Sequence, residues 1–386
     1  MSDYLPENVI HEILKRLPIK SVIQCCLVSR SWKSLIESST HLTRKVQSNN
    51  QNDPLFLLLK DIAEKDQSNW CLWKNQDSGE YIKIQNPFPC IINSIFPKTD
   101  RFTPKNFNVV GTCNGLVCLA VDFSYYGSVA VIWNPSIRKF VTLPKLRVSN
   151  PKDGTDFNVA SYAFGYDSRA KDYKVLRIVS DFCGDETEVW SLARGSWKTL
   201  TAPMPKDFPC RSDNVRYAFV NGAVHWVQHR LEDRRDEAIV DTVIVLFDMA
   251  SELFGEITMP EDLRGKHCFI SRYMESIGLF MSETLENSSD FDMWMMRDYG
   301  VVESWTKLLI IRLEGPKLCP HGFTQNGNEA VFTVGEGRLL MVDLKTKQFG
   351  EFAIEEYRYH FLDCFVESLA LLGHANAVSY RGARNK

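Results

Sequence analysis

The feature that most constrains the fold of this chain is an aromatic residue that returns at near-constant intervals after a polar turn. Phe140, Trp197, Phe254, Trp305 and Phe349 are separated by 57, 57, 51 and 44 residues, and Tyr81 precedes the series by 59. Each of the five follows a short apolar run that ends near a turn: Ile132-Trp133-Asn134-Pro135, Val189-Trp190-Ser191-Leu192, Leu246-Phe247-Asp248, Met293-Trp294-Met295-Met296 and Met341-Val342-Asp343. Earlier in the units stand Asn114-Gly115, Asn221-Gly222 and Asn326-Gly327. Asn-Gly is favoured in two-residue hairpin turns because both positions need positive φ. The unit therefore reads as four antiparallel strands over about fifty residues, the size of a kelch-like propeller blade. An aromatic repeated once per unit reads as packing between blades.

Five units lie between Asn108 and Phe352. A sixth can be assembled from both ends, with Phe365–Leu372 as one strand and Leu55–Leu59, Trp70–Trp73 and Tyr81–Ile84 as the others. Closing a ring this way removes the sheet edges a linear array would expose. The sequence thus predicts an all-β domain with a six-bladed propeller as its architecture. A pair of β-sandwiches, which needs no repeat, is the alternative.

The first forty residues are of a different kind. Val9, Ile10, Ile13, Leu14 and Leu17 form a wide apolar face on a helix that starts with Pro6 at its first position, where a missing N–H costs nothing, and stops at Pro18. A second helix is expected over Ile19–Val28. Ser29 then caps a third, whose buried side carries Trp32, Leu35 and Ile36. So small a unit rarely supplies enough core to stand alone. Pattern alone leaves open whether its surplus apolar surface packs onto the β-domain or docks on another protein.

Composition removes several classes. The 45 basic and 48 acidic residues leave a net charge of −3, without the concentrated basic face that nucleic acid requires. Eleven cysteines are far too few for a disulfide scaffold, and no CxxC pair occurs. Apolar runs such as Leu55–Leu59 are too short to span a bilayer, and Met1–Tyr4 carries no apolar signal core. The expectation is a soluble protein of the cytoplasm or nucleus with reduced cysteines, and with no nucleic-acid or membrane partner.

Leu5-Pro6, Ile10, Ile13-Leu14, Leu17-Pro18, Lys20-Ser21-Val22, Cys26, Val28-Ser29-Arg30 and Trp32 together resemble an F-box. The remainder resembles the plant F-box-associated domain through CNGLVCL (Cys113–Leu119), WNPSIRKF (Trp133–Phe140), FGYDSRAKDYKV (Phe164–Val175), VNGAVHW (Val220–Trp226), WMMRDYGVVESWTKL (Trp294–Leu308) and VESLALL (Val366–Leu372). This implies an N-terminal all-α F-box of three short helices at 1–45, a polar lead-out at 46–53, an F-box-associated β-propeller at 54–375 and a flexible tail at 376–386. It also implies docking on an SKP-type adaptor and, through it, on a cullin–RING core. Leu5, Pro6, Ile10, Ile13, Leu14, Leu17, Pro18, Val22, Val28 and Trp32 would build or support that surface.

No catalytic constellation emerges. Cys113 and Cys118 straddle a turn but lack a second ligand pair for zinc. His225 and His229 share a strand face around Trp226, as sheet packing would have them. His267-Cys268 and Cys319-x-His321 lack the third oriented group of a nucleophilic site. No metal and no cofactor is expected. Longer polar loops at Asp122–Ser128, Lys145–Asn158, Ser180–Glu186, Gln228–Asp241 and Ser282–Asp290 share one face by strand parity, while the short turns share the other. Insertions on one face mark the binding side of a repeat protein. Arg230, Asp233, Arg234, Arg235, Tyr125 and Tyr126 are the candidate target contacts. The preferred function is a non-catalytic substrate receptor of an SCF-type ubiquitin ligase with an unidentified target. A scaffold outside ubiquitination and a β-propeller enzyme are the alternatives.

Overall fold

A computed structural model describes residues 5–39, 55–62, 67–73, 81–84, 108–121, 129–144, 159–181, 184–201, 216–231, 239–282, 290–312, 317–335, 338–352 and 358–380. Three helices come first: α1 (Glu7–Arg16), α2 (Ile19–Val28) and α3 (Arg30–Ser38). Pro6 sits one position earlier than predicted, as the cap of α1, and Pro18, expected only as the stop of the first helix, follows the end of α1 and caps α2. Their carbonyls accept the first helical bonds, from Val9, Ile10 and Val22. Ser29 caps α3, its Oγ accepting from the Trp32 N–H at 3.1 Å.

The β-domain consists of antiparallel sheets numbered here I to VI. Sheet I holds β4 (Asn108–Cys113), β5 (Leu116–Val121), β6 (Val129–Asn134), β7 (Lys139–Thr142) and, on its outer edge, β25 (Val378–Ser379). Sheet II is β8 (Val159–Asp167) to β11 (Ser196–Thr199), with β9 (Asp172–Asp181) and β10 (Gly184–Ser191) between them. Sheet III is β12 (Ala218–Val220), β13 (Ala223–Leu231), β14 (Ile239–Asp248) and β15 (Leu253–Ile257). Sheet IV is β16 (His267–Tyr273), β17 (Ser276–Ser282), β18 (Asp290–Met296) and β19 (Trp305–Arg312). Sheet V is β20 (Leu318–Phe323), β21 (Glu329–Val334), β22 (Arg338–Asp343) and β23 (Phe349–Phe352). Sheet VI joins the two ends of the chain: β24 (Arg358–Phe365) pairs with β1 (Leu55–Ile62), followed by β2 (Gln67–Trp73) and β3 (Tyr81–Ile84). Inner strands of successive sheets touch in turn, β4 with β8, β8 with β13, β12 with β16, β16 with β20 and β20 with β24, and β24 returns to β4.

Equal four-stranded units were expected throughout; five sheets meet that, and sheet I departs with five strands. The repeat has a register basis. Each marker aromatic is the first or second residue of the fourth strand of its unit, opposite one of the last two residues of the third: Tyr81 opposite Trp73, Phe140 opposite Trp133, Trp197 opposite Trp190, Phe254 opposite Phe247, Trp305 opposite Met296 and Phe349 opposite Val342. Phe140 and Trp305 are buried, but Phe349 is 49% exposed and so is not core. The cores lie between sheets. Phe164 and Trp190 of sheet II pack with Cys118 and Ile132 of sheet I, and Trp226 and Phe247 of sheet III with Leu176 and Val189 of sheet II. Asn114-Gly115 and Asn221-Gly222 are two-residue turns with φ between 47° and 79°. Asn326-Gly327 instead lies in a wider loop between Phe323 and Ala330, where the Thr324 and Glu329 backbones pair.

Two expectations at the C-terminus are corrected. Phe365–Leu372 is not the strand that closes sheet VI; β24 ends at Phe365. The residues beyond it cross the turn end of sheet I, where a Cβ on Gly115 would lie 2.5 Å from the Val366 carbonyl. Residues 376–380, expected in a flexible tail, supply β25, and the Tyr380 hydroxyl accepts from Trp133 Nε1 at 2.9 Å. Residues 46–53 and 381–386 lie outside the described residues.

Leu369 and Leu372 enter the helical core formed by Ile10, Leu14, Ile19, Val22 and Ile36, with Ile137 packed against it. Leu369→Ala should therefore destabilise the whole chain by about 2–5 kcal/mol, the usual range for such a truncation. Urea unfolding checks this. A helical unit that melts separately, with the β-domain unaffected, would contradict the shared core.

Candidate adaptor surface and recognition face

The helical unit has two sides. Ile10, Leu14 and Val22, predicted to build or support the docking surface, are buried in the core shared with Leu369 and Leu372. Leu17 and Trp32 are half-buried, while Pro6 and Pro18 are exposed. On the other side Leu5, Val9, Ile13 and Val28 are open to solvent, at 46%, 39%, 40% and 72% exposure. They are four of the ten large apolar side chains exposed among the described residues. Such concentration in so short a segment makes it the candidate interaction surface of the helical unit. Val9 was not among the predicted contacts, although its spacing of four from both Leu5 and Ile13 was the signal. Glu7, Asn8, Val9, His11, Glu12 and Leu35 line a shallow depression beside it, and His11 bonds the Ser39 hydroxyl across it at 2.9 Å.

Two of the quoted sequence phrases explain how the helices are held. Within WNPSIRKF, Asn134 is buried and its Nδ2 donates to the Ser368 and Ala370 carbonyls at 3.1 and 2.7 Å, while its Oδ1 accepts from Ser136 N. Ile137 reaches the helical core, and Lys139 Nζ donates to the Leu372 carbonyl. Burial pulls the Lys139 ammonium below its usual range, and the Glu37 carboxylate of α3 acts against that shift. Beyond VESLALL, a Cβ on Gly373 would lie 2.9 Å from the Glu37 carbonyl. WNPSIRKF and VESLALL thus meet across the chain to form the seat of the helical unit.

That seat lies at the turn end of the sheets. Ile137 belongs to the β6–β7 turn, and Asn114-Gly115 lies beneath Val366. Strand parity sends the β5–β6, β7–β8, β13–β14 and β17–β18 connections to the opposite end. Of the predicted contacts there, Tyr125, Tyr126, Asp233, Arg234 and Arg235 lie outside the described residues. Arg230 is not in a loop: it lies in β13, opposite Asp241 of β14. The expected Gln228–Asp241 loop is strand at both ends, its first residues in β13 and its last in β14, with residues 232–238 outside the described residues, and Gln228 is buried. Ser180–Glu186 is mostly hairpin, with Gly184 paired to Asp181.

The candidate chemical groups have structural partners. Cys113 and Cys118 are buried between sheets I and II, and burial pushes both thiols far up. Burial pushes Cys268 up to about 12. His225 Nδ1 donates to the Ala218 carbonyl at 3.2 Å, so Nε2 accepts from the Tyr299 hydroxyl at 2.7 Å, and burial holds the ring down to about 4. His229 sits beside Thr242 with its ring 5.7 Å from that of His267. Burial and then the His267 charge hold it to about 4. His321 bonds the Thr333 hydroxyl, and burial followed by the Arg216 charge holds it to about 3. Among the described residues no three His, Cys, Asp or Glu side chains gather to hold a metal, and no helix is long and apolar enough to cross a membrane.

Comparison with known proteins is in keeping with this arrangement. Residues 3–43 match the F-box domain, and residues 76–374 match the F-box associated beta propeller domain. The chain belongs to the F-box proteins with an F-box-associated β-propeller. An F-box/kelch-repeat protein of Arabidopsis thaliana is 26% identical to it over 318 residues, covering 80% of this chain and 79% of that one. A second Arabidopsis F-box protein is 29% identical, covering 83% and 75%. The Arabidopsis F-box protein CPR1 is 25% identical, covering 98% and 92%. In this F-box protein, α1–α3 are the F-box, and the six sheets are made of strands within the propeller domain, with β1 and β2 before it and β25 after it.

His225, His229 and His321 give the propeller an acid-sensitive stability. Their folded values lie below the ordinary 6.5, so between about 4 and 6.5 the unfolded chain binds more protons. Stability then rises with pH through that window and is lost as pH falls from 6.5 towards 4. The urea midpoint should be lower at pH 5 than at pH 7, and His225→Gln should flatten the difference. A midpoint independent of pH over that range would contradict it.

Proposed function

We propose that this F-box protein is the substrate-receptor subunit of an SCF-type ubiquitin ligase. The F-box docks on an SKP-type adaptor through Leu5, Pro6, Val9, Ile13 and Val28, with Ile10, Leu14, Leu17, Val22 and Trp32 supporting that surface. The propeller, read as six kelch-like blades with sheet VI closing the ring, holds a target protein on the long-loop end. Catalysis belongs to the partners; this chain supplies proximity and orientation. The seven described cysteines are all free, which suits a reducing cytoplasm or nucleus.

The single observation that carries this reading is the two-sidedness of the helical unit. One side is fused to the propeller through Leu369 and Leu372, and the other keeps an apolar patch in solvent. A patch needed only for intramolecular packing would not stay exposed. A rigid seat is also what a receptor needs to hold its target at a fixed distance from an adaptor-bound ligase core.

Leu5→Ala/Pro6→Ala should abolish capture of an SKP-family adaptor by the intact chain. A few anchors dominate such interfaces, so the combined loss should exceed about tenfold in affinity. The thermal unfolding midpoint should barely move, because both side chains are exposed. An intact chain that captures no adaptor would defeat the proposal. Replacing residues 232–238 with a short Gly/Ser turn should weaken target capture, and unchanged capture would remove that loop from the recognition face.

A further inference from the structure

On the long-loop end the innermost strands begin with a recurrent charge. Arg216 stands two residues before β12, Lys266 directly before β16, Lys317 directly before β20, and Arg358 is the first residue of β24. Four successive sheets thus place a basic residue at the rim of the axial mouth. No motif signalled this, since the four are far apart in sequence and the net charge is −3.

Arg216 is the informative member. Its guanidinium crosses from sheet III to sheet V, where Nη1 donates to the Pro320 carbonyl and Nη2 lies 3.5 Å from Cys319 Sγ. On the way it lies over the Phe269 ring of sheet IV, 5.4 Å from the centroid. None of these neighbours is a carboxylate, and among the described residues no carboxylate pairs with Arg216. The nearby imidazole, His321, is held uncharged. Two buried cations elsewhere in this propeller are matched, Lys174 by Asp167 and Glu252, and Arg177 by Glu188. A guanidinium held on an aromatic face and a carbonyl, with donors left over and no counter-charge, is preorganised for an incoming anion. Its place on the rim, near Lys317, focuses that potential outward.

Resting on the receptor reading above, we infer that the axial mouth on the long-loop end binds an acidic segment of the target protein, with an Asp or Glu carboxylate paired to Arg216. Lys317, exposed at the start of β20, supplies a second, weaker attraction.

The test uses the full chain and two fluorescein-labelled peptides, one with six consecutive glutamates and one with six glutamines, read by fluorescence anisotropy. The hexaglutamate peptide should bind, more weakly as salt rises, and the hexaglutamine peptide should not. Arg216→Gln should weaken binding about tenfold, as loss of a charge-assisted bond implies. Lys317→Gln, which leaves the Pro320 contact intact, should weaken it less. Equal binding of both peptides, or of hexaglutamate to the parent and to both variants, would overturn the inference. A phosphoserine peptide without Asp or Glu that outcompetes hexaglutamate would overturn the carboxylate assignment. Leu5→Ala/Pro6→Ala should leave peptide binding unchanged. Failure of adaptor docking is therefore read separately from failure of the mouth.

Discussion

The geometry of this F-box protein depends on one buried side-chain amide. Asn134 closes the strand before the β6–β7 turn and holds the Ser368 and Ala370 carbonyls with its Nδ2 while its Oδ1 fixes the turn at Ser136. A buried amide without partners would be costly, whereas a satisfied one specifies a single arrangement. The segment it pins sends neighbouring residues in two directions. Leu369 and Leu372 enter the F-box core, and Ala370 and Leu371 enter the core between sheets I and II. The F-box is therefore completed by residues more than three hundred positions away.

This has a mechanical consequence. A forty-residue helical unit on a free linker would place a docked adaptor anywhere within the linker's reach. Here the apolar seat, the Lys139 bond to the Leu372 carbonyl and the close approach of Gly373 to Glu37 fix its orientation on the turn end of sheet I. Strand parity then puts the long loops and the basic axial rim at the far end. The proposed adaptor and target surfaces are thereby separated by the full height of the propeller.

Much of the fold was legible because it follows local rules. The spacing of Tyr81, Phe140, Trp197, Phe254, Trp305 and Phe349 corresponds to equivalent register positions, so a repeat read from sequence is a repeat of hydrogen-bonded pairs. Asn114-Gly115 and Asn221-Gly222 form the turns their composition demands, and Ser29 caps α3. The misreadings fall where a local pattern had a competing partner. VESLALL has the apolar content of a strand, but its backbone is bound by Asn134, and its Leu369 and Leu372 by the F-box, so the adjacent β24 closes sheet VI instead. Gln228 looked like the start of a polar loop, yet pairing with β14 carries it into the sheet. Val378 and Ser379 looked like tail, and the open edge of β7 made them a strand.

By itself the sequence determined the F-box helices, the repeating antiparallel unit and the family, because helix periodicity, turn chemistry and cross-strand pairing act over a few residues. It could not decide which of the F-box apolar residues face solvent. That sorting of Ile10, Leu14 and Val22 from Leu5, Val9, Ile13 and Val28 depends on where Leu369 and Leu372 arrive. Nor could it bring Arg216, Phe269 and Pro320 together, since they come from three sheets and meet only when the ring forms. Contacts between residues distant in the chain leave no periodic trace, so the tertiary structure alone decided both surfaces.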